Sequence, residues 1–257
     1  MSRGLLKITN FLLDVTSEAV KNIRWSAQKV ERLAEGTEGM IADLVRNLTP
    51  DMAFWGKYLG YVNTPSNPSL GTWIMESVCR LEDAIYGWPT WASTLCLIQD
   101  DSVTLGALTL PMMGESLIGL NGKTYSKPSN EAPMRPLPRL SDSNIEARDC
   151  IVAASASMRK SIAEDCALTI LELEVKRVLR DYSFYAISLL VHGKIDAIVE
   201  CDLSPQVIAA ITPILRGVGC IVTDWEGRNV CCSNRIIATR SHSLLRELVT
   251  LVGQTSY

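Results

Sequence analysis

The stretch from Thr72 to Thr90, TWIMESVCRLEDAIYGWPT, constrains the fold more than any other part of this chain. Its pattern predicts a short buried strand, a turn and a helix that a Gly and a Pro bring to an end, at Thr72–Met75, Ser77–Arg80 and Glu82–Tyr86. α/β proteins place anion and metal chemistry at such a unit, because the amides of the helix point at whatever occupies the turn. The side chains of Glu76, Cys79 and Arg80 are therefore the first candidates for a functional site.

Composition excludes several classes of protein. Apolar residues make up 47% of the 257 and charged residues 21%, which is usual for a globular protein in water, and a net charge of −3 gives no reason to expect a nucleic-acid partner. No apolar run approaches the ~18–20 residues of a membrane span, and Lys7, Asn10 and Asp14 make the N-terminus a poor signal peptide. The eight cysteines show no metal-binding spacing and suit a reducing compartment, so we expect a cytoplasmic protein.

Apolar periodicity predicts elements on both sides of the central stretch. Before it we expect two amphipathic helices, Leu5–Lys21 and Ala27–Leu48, the second with Val30, Leu33, Met40, Ile41, Leu44 and Leu48 on its apolar face. After it we expect three antiparallel strands, at Ser93–Gln99, Ser102–Pro111 and Glu115–Leu120. The polar segment Asn121–Arg148 contains four prolines and predicts a long exposed loop.

The remainder of the chain predicts alternating strands and helices. A strand is expected to begin this part of the chain at Asp149–Ala154, and a turn followed by a strand is expected at Gly193–Glu200. Helices are expected at Ile162–Leu171, at Val178–His192, within Cys201–Leu215 and at Ser241–Leu251.

The central stretch resembles the signature of the inositol monophosphatase family, which comprises Mg²⁺-dependent, lithium-sensitive phosphomonoesterases, and its histidinol-phosphatase branch in particular. The family reads Trp-apolar-apolar-Asp-Pro-apolar-Asp-Gly-Thr, a short helix, and then Gly-x-Pro. This chain has Trp73-Ile74-Met75-Glu76-Ser77-Val78-Cys79-Arg80-Leu81, and then Gly87-Trp88-Pro89. The framework matches, but Glu76 and Cys79 stand at the two Asp positions, Arg80 at the Gly and Leu81 at the Thr.

Other family motifs show the same departure. The metal-binding Gly-Glu-Glu-x-Gly corresponds to Gly56–Gly60, with Lys57 and Tyr58 in place of both glutamates. A helical Asp that supports the attacking water falls on Ala34 when residues are counted back without gaps. The metal-binding Asp that opens a later helix falls on Gln206, whereas the family's ending, Gly-Gly-apolar-apolar-Thr-Asp-x-x-Gly, fits Gly219–Gly227 closely.

The resemblance implies an α+β fold of α/β layers, the αβαβα sandwich of the family. It also implies one domain over residues 1–257, with an N-terminal α+β half at 1–148, which includes the loop 121–148, and a C-terminal α/β half at 149–257. A homodimer, common in the family, is a further expectation. The resemblance names no protein partner.

The chemistry that these residues allow differs from that of the family. Mg²⁺ is held by clustered hard oxygen ligands, and such clusters polarise the phosphate and activate water. Of the five positions that should supply carboxylates, only Glu76 is acidic; the others are Lys57, Tyr58, Cys79 and Gln206. We therefore expect no metal or other cofactor, and a catalytically degenerate protein, a pseudophosphatase, with a binding or regulatory role. Glu76 is the one residual candidate for a metal ligand.

Two other functions remain open. One is a weak or altered Mg²⁺-dependent phosphomonoesterase, with a rebuilt site at Glu76, Glu82 and Asp83, that acts on a small metabolite of the inositol phosphate or histidinol phosphate type. The other is a metal-free sensor of a phosphorylated metabolite, which would use Lys57 and Arg80.

Single side chains also allow alternatives. The Lys57 ammonium could pair with Glu76 or be solvated, and the Arg80 guanidinium could bind an anion or pair locally. Cys79 could be a nucleophile or a buried inert thiol, whereas Leu81 is expected to pack in the interior.

Overall fold

The structure is a computed structural model, and it describes residues 26–63, 70–129, 131–142, 144–155, 158, 161–230 and 233–253. The helix predicted at Leu5–Lys21 lies outside the described residues. The described residues form two compact units. The first takes in the described residues up to Pro136 together with Ala209–Ile214, and the second takes in those of Leu137–Ile208 and those from Leu215 onwards. That the chain acts as one domain stays a prediction.

The first unit is built on an eight-stranded sheet. Its elements are α1 (Ala27–Leu48), β1 (Ala53–Gly56), β2 (Gly60–Asn63), β3 (Thr72–Cys79), α2 (Leu81–Tyr86), β4 (Ala92–Gln99), β5 (Ser102–Leu110), β6 (Glu115–Leu120), β7 (Lys123–Lys127) and β8 (Arg135–Pro136). The strand order is β2-β1-β3-β4-β5-β6-β7-β8, and only β1 and β3 run parallel. The parallel pair places the end of β1 beside the middle of β3.

The second unit is built on a five-stranded sheet. Its elements are a 3₁₀ turn (Ala147–Asp149), β9 (Ile151–Ala154), α3 (Ile162–Glu174), β10 (Arg177–Arg180), α4 (Ser183–Val191), β11 (Ala197–Glu200), the ends of α5 (Pro205–Gly217), β12 (Ile221–Thr223), β13 (Ile236–Thr239) and α6 (His242–Gly253). The order is β10-β9-β11-β13-β12, with the first three strands parallel and β13 antiparallel to both neighbours. Its core joins apolar residues of α3 and α6 to Trp225 and the sheet.

One face of α1 packs on the first sheet. The buried residues of this face include Val30, Ala34, Ile41 and Val45, and Ile41 and Val45 belong to a core that contains Trp73. Two residues predicted for this face, Met40 and Leu48, are instead 48% and 50% exposed. The prediction of their burial was wrong because small and polar residues, rather than the largest apolar ones, complete the buried stripe.

The middle of α5, which belongs to the first unit, approaches the sheet unusually closely. Gly106 and Gly119 are cross-strand partners, and a Cβ on Gly119 would lie 2.2 Å from the carbonyl carbon of Pro213. Next to this contact, the buried Thr124 hydroxyl donates a hydrogen bond of 2.5 Å to the carbonyl of Ile214. The two glycines therefore make room for the helix backbone.

Three predicted boundaries were wrong for local reasons. β3 continues to Cys79, with an irregular register between Glu76 and Cys79, so the predicted turn at Ser77–Arg80 is mostly strand. β7 lies inside the predicted loop, because Asn121-Gly122 adopts the left-handed conformation of a tight hairpin turn. Arg177–Arg180 pairs with β9 as a strand, and α4 begins only at Ser183, after Asp181 takes a positive φ of 64°.

Candidate functional site

The turn between β1 and β2 brings the first candidate residues together. β1 ends at Gly56, which pairs with Met75 of β3, and the amide of Lys57 donates to the Met75 carbonyl over 3.0 Å. Since Glu76 is the next residue of β3, the side chain of Lys57 starts close to its carboxylate. The turn closes at Gly60, whose φ of 67° favours glycine.

Lys57 and Glu76 form an ion pair and hydrogen bond. The Glu76 side chain is 7% exposed and that of Lys57 44%, so a nearly buried carboxylate meets an ammonium that still touches solvent. The same ammonium lies 6.0 Å from the centroid of the Tyr58 ring. Of the two alternatives for Lys57, the structure thus shows pairing, and the pair brings the charge of this position close to zero.

Cys79 is buried at the end of β3. Its sulfur lies 3.5 Å from the hydroxyl of Thr94 and 3.6 Å from the carbonyl of Glu76. Burial, followed by the charge of Glu76, raises the pKa of this thiol well above its usual value. The thiol is therefore neutral, which fits an inert core residue and not an activated nucleophile.

Arg80 pairs within its own segment. It has a φ of 62°, the left-handed region, at the position where the resembled signature has Gly, and its Nε donates to a carboxylate oxygen of Asp83 over 2.7 Å. The same oxygen accepts the hydroxyl of Thr90 over 2.6 Å. Leu81 packs against the apolar cluster that contains Val30. Local pairing is thus the alternative that the structure shows for Arg80.

Tyr58 cannot replace a carboxylate. Burial first, and then the negative charges of Glu76 and Glu38, raise the pKa of Tyr58 to about 12. The phenol is therefore neutral near pH 7, and it packs against the apolar cluster that contains Val30 and Ala34 of α1.

Glu38 is the residue of this site that sequence reasoning missed. It lies on α1 and is fully buried, and its carboxylate accepts the amides of Tyr58 (2.8 Å), Leu59 (3.1 Å) and Ser77 (3.4 Å) and the Ser77 hydroxyl (3.0 Å). Burial raises the pKa of Glu38, although these hydrogen bonds act in the opposite direction. Its carboxylate thus links α1 to the turn and to β3.

A sequence model of the inositol monophosphatase family matches residues 84–256, about two thirds of this chain. The chain belongs to the inositol monophosphatase family. The match begins after Asp83, so Lys57, Glu76 and Cys79 lie in the part of the chain that precedes the matched residues.

Solved structures of this family share the fold. An inositol monophosphatase from Zymomonas mobilis is 18% identical and has a TM-score of 0.78, with 96% of both chains covered. The extragenic suppressor protein suhB from Bartonella henselae is 16% identical and has a TM-score of 0.75, with 98% of both chains covered. These likenesses confirm the predicted α+β layered architecture of the inositol monophosphatase fold.

A curated relative is similar over part of its length. The bifunctional phosphatase IMPL2, chloroplastic, from Arabidopsis thaliana is 25% identical over 198 residues, which are 77% of this chain and 54% of the relative. The chain thus spans about half the length of the curated relative that it matches.

The resemblance placed the helical Asp position of the family at Ala34, which in this chain offers no carboxylate. Ala34 is fully buried in an apolar cluster, and the carboxylate that reaches the turn belongs to Glu38, one helical turn later. Sequence reasoning did not single out Glu38. A signal was present, because Glu38 falls on the buried stripe with Ala34, Ile41 and Val45, where a charge needs partners.

Gln206 belongs to the second unit. It is the second residue of α5, after Pro205, and the hydroxyl of Ser204 caps the helix by accepting the amide of Val207 over 3.2 Å. A Pro at the first helical position and a Ser cap explain why the helix begins here.

The residues present do not fit the magnesium ion that the family uses. Within the part of the chain that the structure describes, no three or more His, Cys, Asp or Glu side chains form a group that could hold a metal. The rebuilt site at Glu76, Glu82 and Asp83, which the alternative of an altered phosphatase would need, is therefore not assembled. The carboxylate of Glu76 meets an ammonium, and that of Asp83 a guanidinium.

No helix among the described residues is long and apolar enough to cross a membrane.

Proposed function

We propose that this protein is a catalytically degenerate member of the inositol monophosphatase family that binds or regulates without hydrolysing a phosphoester. The observation that carries the proposal is the ion pair between Lys57 and Glu76. In the family, the positions of both Lys57 and Glu76 supply carboxylates to metal. Here one of them carries a positive charge and neutralises the other.

The charge balance explains why hydrolysis would be lost. Mg²⁺ gives up its hydration shell reluctantly, so its binding depends on several carboxylates at one place. At this place the chain offers one paired carboxylate at Glu76, a neutral phenol at Tyr58 and a neutral thiol at Cys79. A divalent cation would also have to displace the ammonium of Lys57, with which it shares its sign of charge.

A phosphatase assay tests this proposal. The purified protein is incubated with Mg²⁺ and an inositol monophosphate, histidinol phosphate or a chromogenic phosphate ester, beside an active phosphatase as positive control. We expect phosphate release at the rate of the buffer blank, and no saturable Mg²⁺ binding in calorimetry. Mg²⁺-dependent release that the substitution Glu76→Gln abolishes would overturn the proposal.

A weak or altered phosphomonoesterase is the second candidate. It is supported by family membership and by the printed name of the Arabidopsis thaliana relative, which is a bifunctional phosphatase. Its substrate would be a small phosphorylated metabolite and its cofactor Mg²⁺. The assay above distinguishes the two candidates, because only the second predicts turnover.

A metal-free sensor of phosphorylated metabolites is the third candidate. It is supported by the partial exposure of two cationic side chains, Lys57 at 44% and Arg80 at 31%. Both already pair with carboxylates, so an anion would have to compete with Glu76 and Asp83. A thermal-shift screen with phosphorylated metabolites tests it, and a rise in melting temperature that Lys57→Gln removes would favour a sensor.

The assembly and location of the protein are part of the proposal. We propose a homodimer in the cytoplasm, and light scattering coupled to size-exclusion chromatography measures the first of these directly. A monomeric mass at all accessible concentrations would contradict the dimer.

A further inference from the structure

The carboxylate of Glu38 is surrounded by hydrogen-bond donors. One oxygen accepts the amides of Tyr58 and Leu59, and the other accepts the amide and hydroxyl of Ser77. All four of these groups donate, so the arrangement suits the ionised carboxylate, which only accepts. Two of the donors are backbone amides of the turn that carries Lys57.

The backbone of this turn makes room for Glu38. A Cβ on Gly56 would lie 2.3 Å from the nearer Glu38 oxygen and 2.9 Å from its carboxyl carbon. Gly56 has no unusual φ, so its backbone would accept any residue. The lack of a side chain at Gly56 is therefore explained by the close approach of Glu38.

We propose that Glu38 is a positioning residue, whose buried carboxylate fixes the Gly56–Gly60 turn and the adjoining part of β3 and thereby holds the ammonium of Lys57 against Glu76. The carboxylate binds the amides immediately after Lys57 and the amide immediately after Glu76. Both partners of the ion pair thus stand on backbone that one side chain holds. The proposal does not depend on whether the protein hydrolyses a phosphoester.

Glu38 acts through Lys57, so the accessibility of the Lys57 amine is the quantity to measure. A paired and positioned ammonium reacts slowly with an acylating reagent, because it must leave its partner and lose a proton before it attacks. Lys123 is exposed in the same unit and provides an internal reference. The ratio of acetylation at Lys57 to that at Lys123, measured by peptide mass spectrometry, separates local release from general unfolding.

The test compares Glu38→Gln with Glu35→Gln, a matched change on the exposed face of α1. We expect Glu38→Gln to raise the ratio several-fold, because its amide group cannot accept all four donors, and Glu35→Gln to leave the ratio unchanged. If Glu38→Gln does not fold, Ser77→Ala replaces it and removes one of the four bonds, for which we expect a smaller rise. A ratio that stays constant in the folded variants, or that rises equally in Glu35→Gln, would overturn the proposal.

Discussion

Replacing Gly56 with alanine should destabilise the protein because the new methyl group would collide with the carboxylate of Glu38. Where the backbone conformation permits it, a Gly→Ala change usually stabilises by about 0.4–1 kcal/mol, because the unfolded chain loses freedom. At Gly56 the backbone permits it, yet the new Cβ would meet a carboxylate oxygen at 2.3 Å. The carboxylate must therefore move away from the turn.

The size of the effect follows from the bonds that this movement breaks. The oxygen that would be displaced accepts the amides of Tyr58 and Leu59 at 2.8 and 3.1 Å. Hydrogen bonds to a charged group contribute roughly 1.5–3 kcal/mol each, so the loss of two costs about 3 kcal/mol or more. In a Glu38→Ala background the obstacle is absent, and Gly56→Ala should then be neutral or slightly stabilising.

Urea denaturation of the wild type, both single variants and the double variant measures this coupling. We expect an interaction free energy of about 3 kcal/mol between the two sites, within the upper range for residues in contact. Gly36→Ala is the control, because Gly36 lies in α1 and a Cβ there would meet nothing within 4 Å beyond the adjacent backbone of its own helix, so this change should stabilise by about 1 kcal/mol. If Gly56→Ala lowers the free energy of unfolding equally in the wild type and in the Glu38→Ala background, the close approach of Glu38 does not explain why position 56 is a glycine.

Three further outcomes are expected. Burial raises the pKa of Glu38, so between the usual glutamate pKa and the folded pKa the folded protein keeps a proton that the unfolded chain has released. The stability from this group is fully present below the usual glutamate pKa, declines as pH rises through the folded pKa, and above that pH the carboxylate is ionised in both states. The stability of Glu38→Gln should lack that decline. If urea denaturation shows that the free energy of unfolding of the wild type gains on that of Glu38→Gln as pH rises, the direction of the pKa shift is wrong. Gly119→Ala should lower stability by about 3 kcal/mol or more, since its Cβ would meet the backbone of Pro213, and an unchanged melting temperature would refute this contact. Peptide mapping after treatment with a thiol reagent should find Cys166 modified in the folded state. The described buried thiols should be protected, and fast labelling of any of them would contradict their burial. These thiols are Cys79, Cys96, Cys150, Cys201 and Cys220.

The order of the elements could be predicted from the sequence because it depends on short-range patterns. α1 has the predicted bounds, Ala27–Leu48, and β6 the predicted bounds, Glu115–Leu120. The strand at Arg177–Arg180 could not be distinguished from the helix that follows, because it is short and its pairing partner, β9, lies more than twenty residues earlier. Pairing between distant segments leaves little trace in local periodicity.

The site was predicted in part. The position of Lys57 against Glu76 followed from the spacing of the family motifs, and the structure shows these two side chains in contact. The role of Glu38 did not follow, because the family motifs directed attention to Ala34 on the same helix. A Glu within an apolar stripe is itself informative, since a fully buried carboxylate requires donors that only the tertiary structure can supply.

At Arg80 the conformation of the backbone and the charge of the side chain answer to different requirements. The left-handed conformation at this position costs a residue with a Cβ about 1–2 kcal/mol, and Gly would avoid that cost. The turn keeps this conformation because it must join β3 to α2, and the ion pair with Asp83 offsets part of the strain. The fold therefore constrains the path of the chain at Arg80 independently of the charge that its side chain carries.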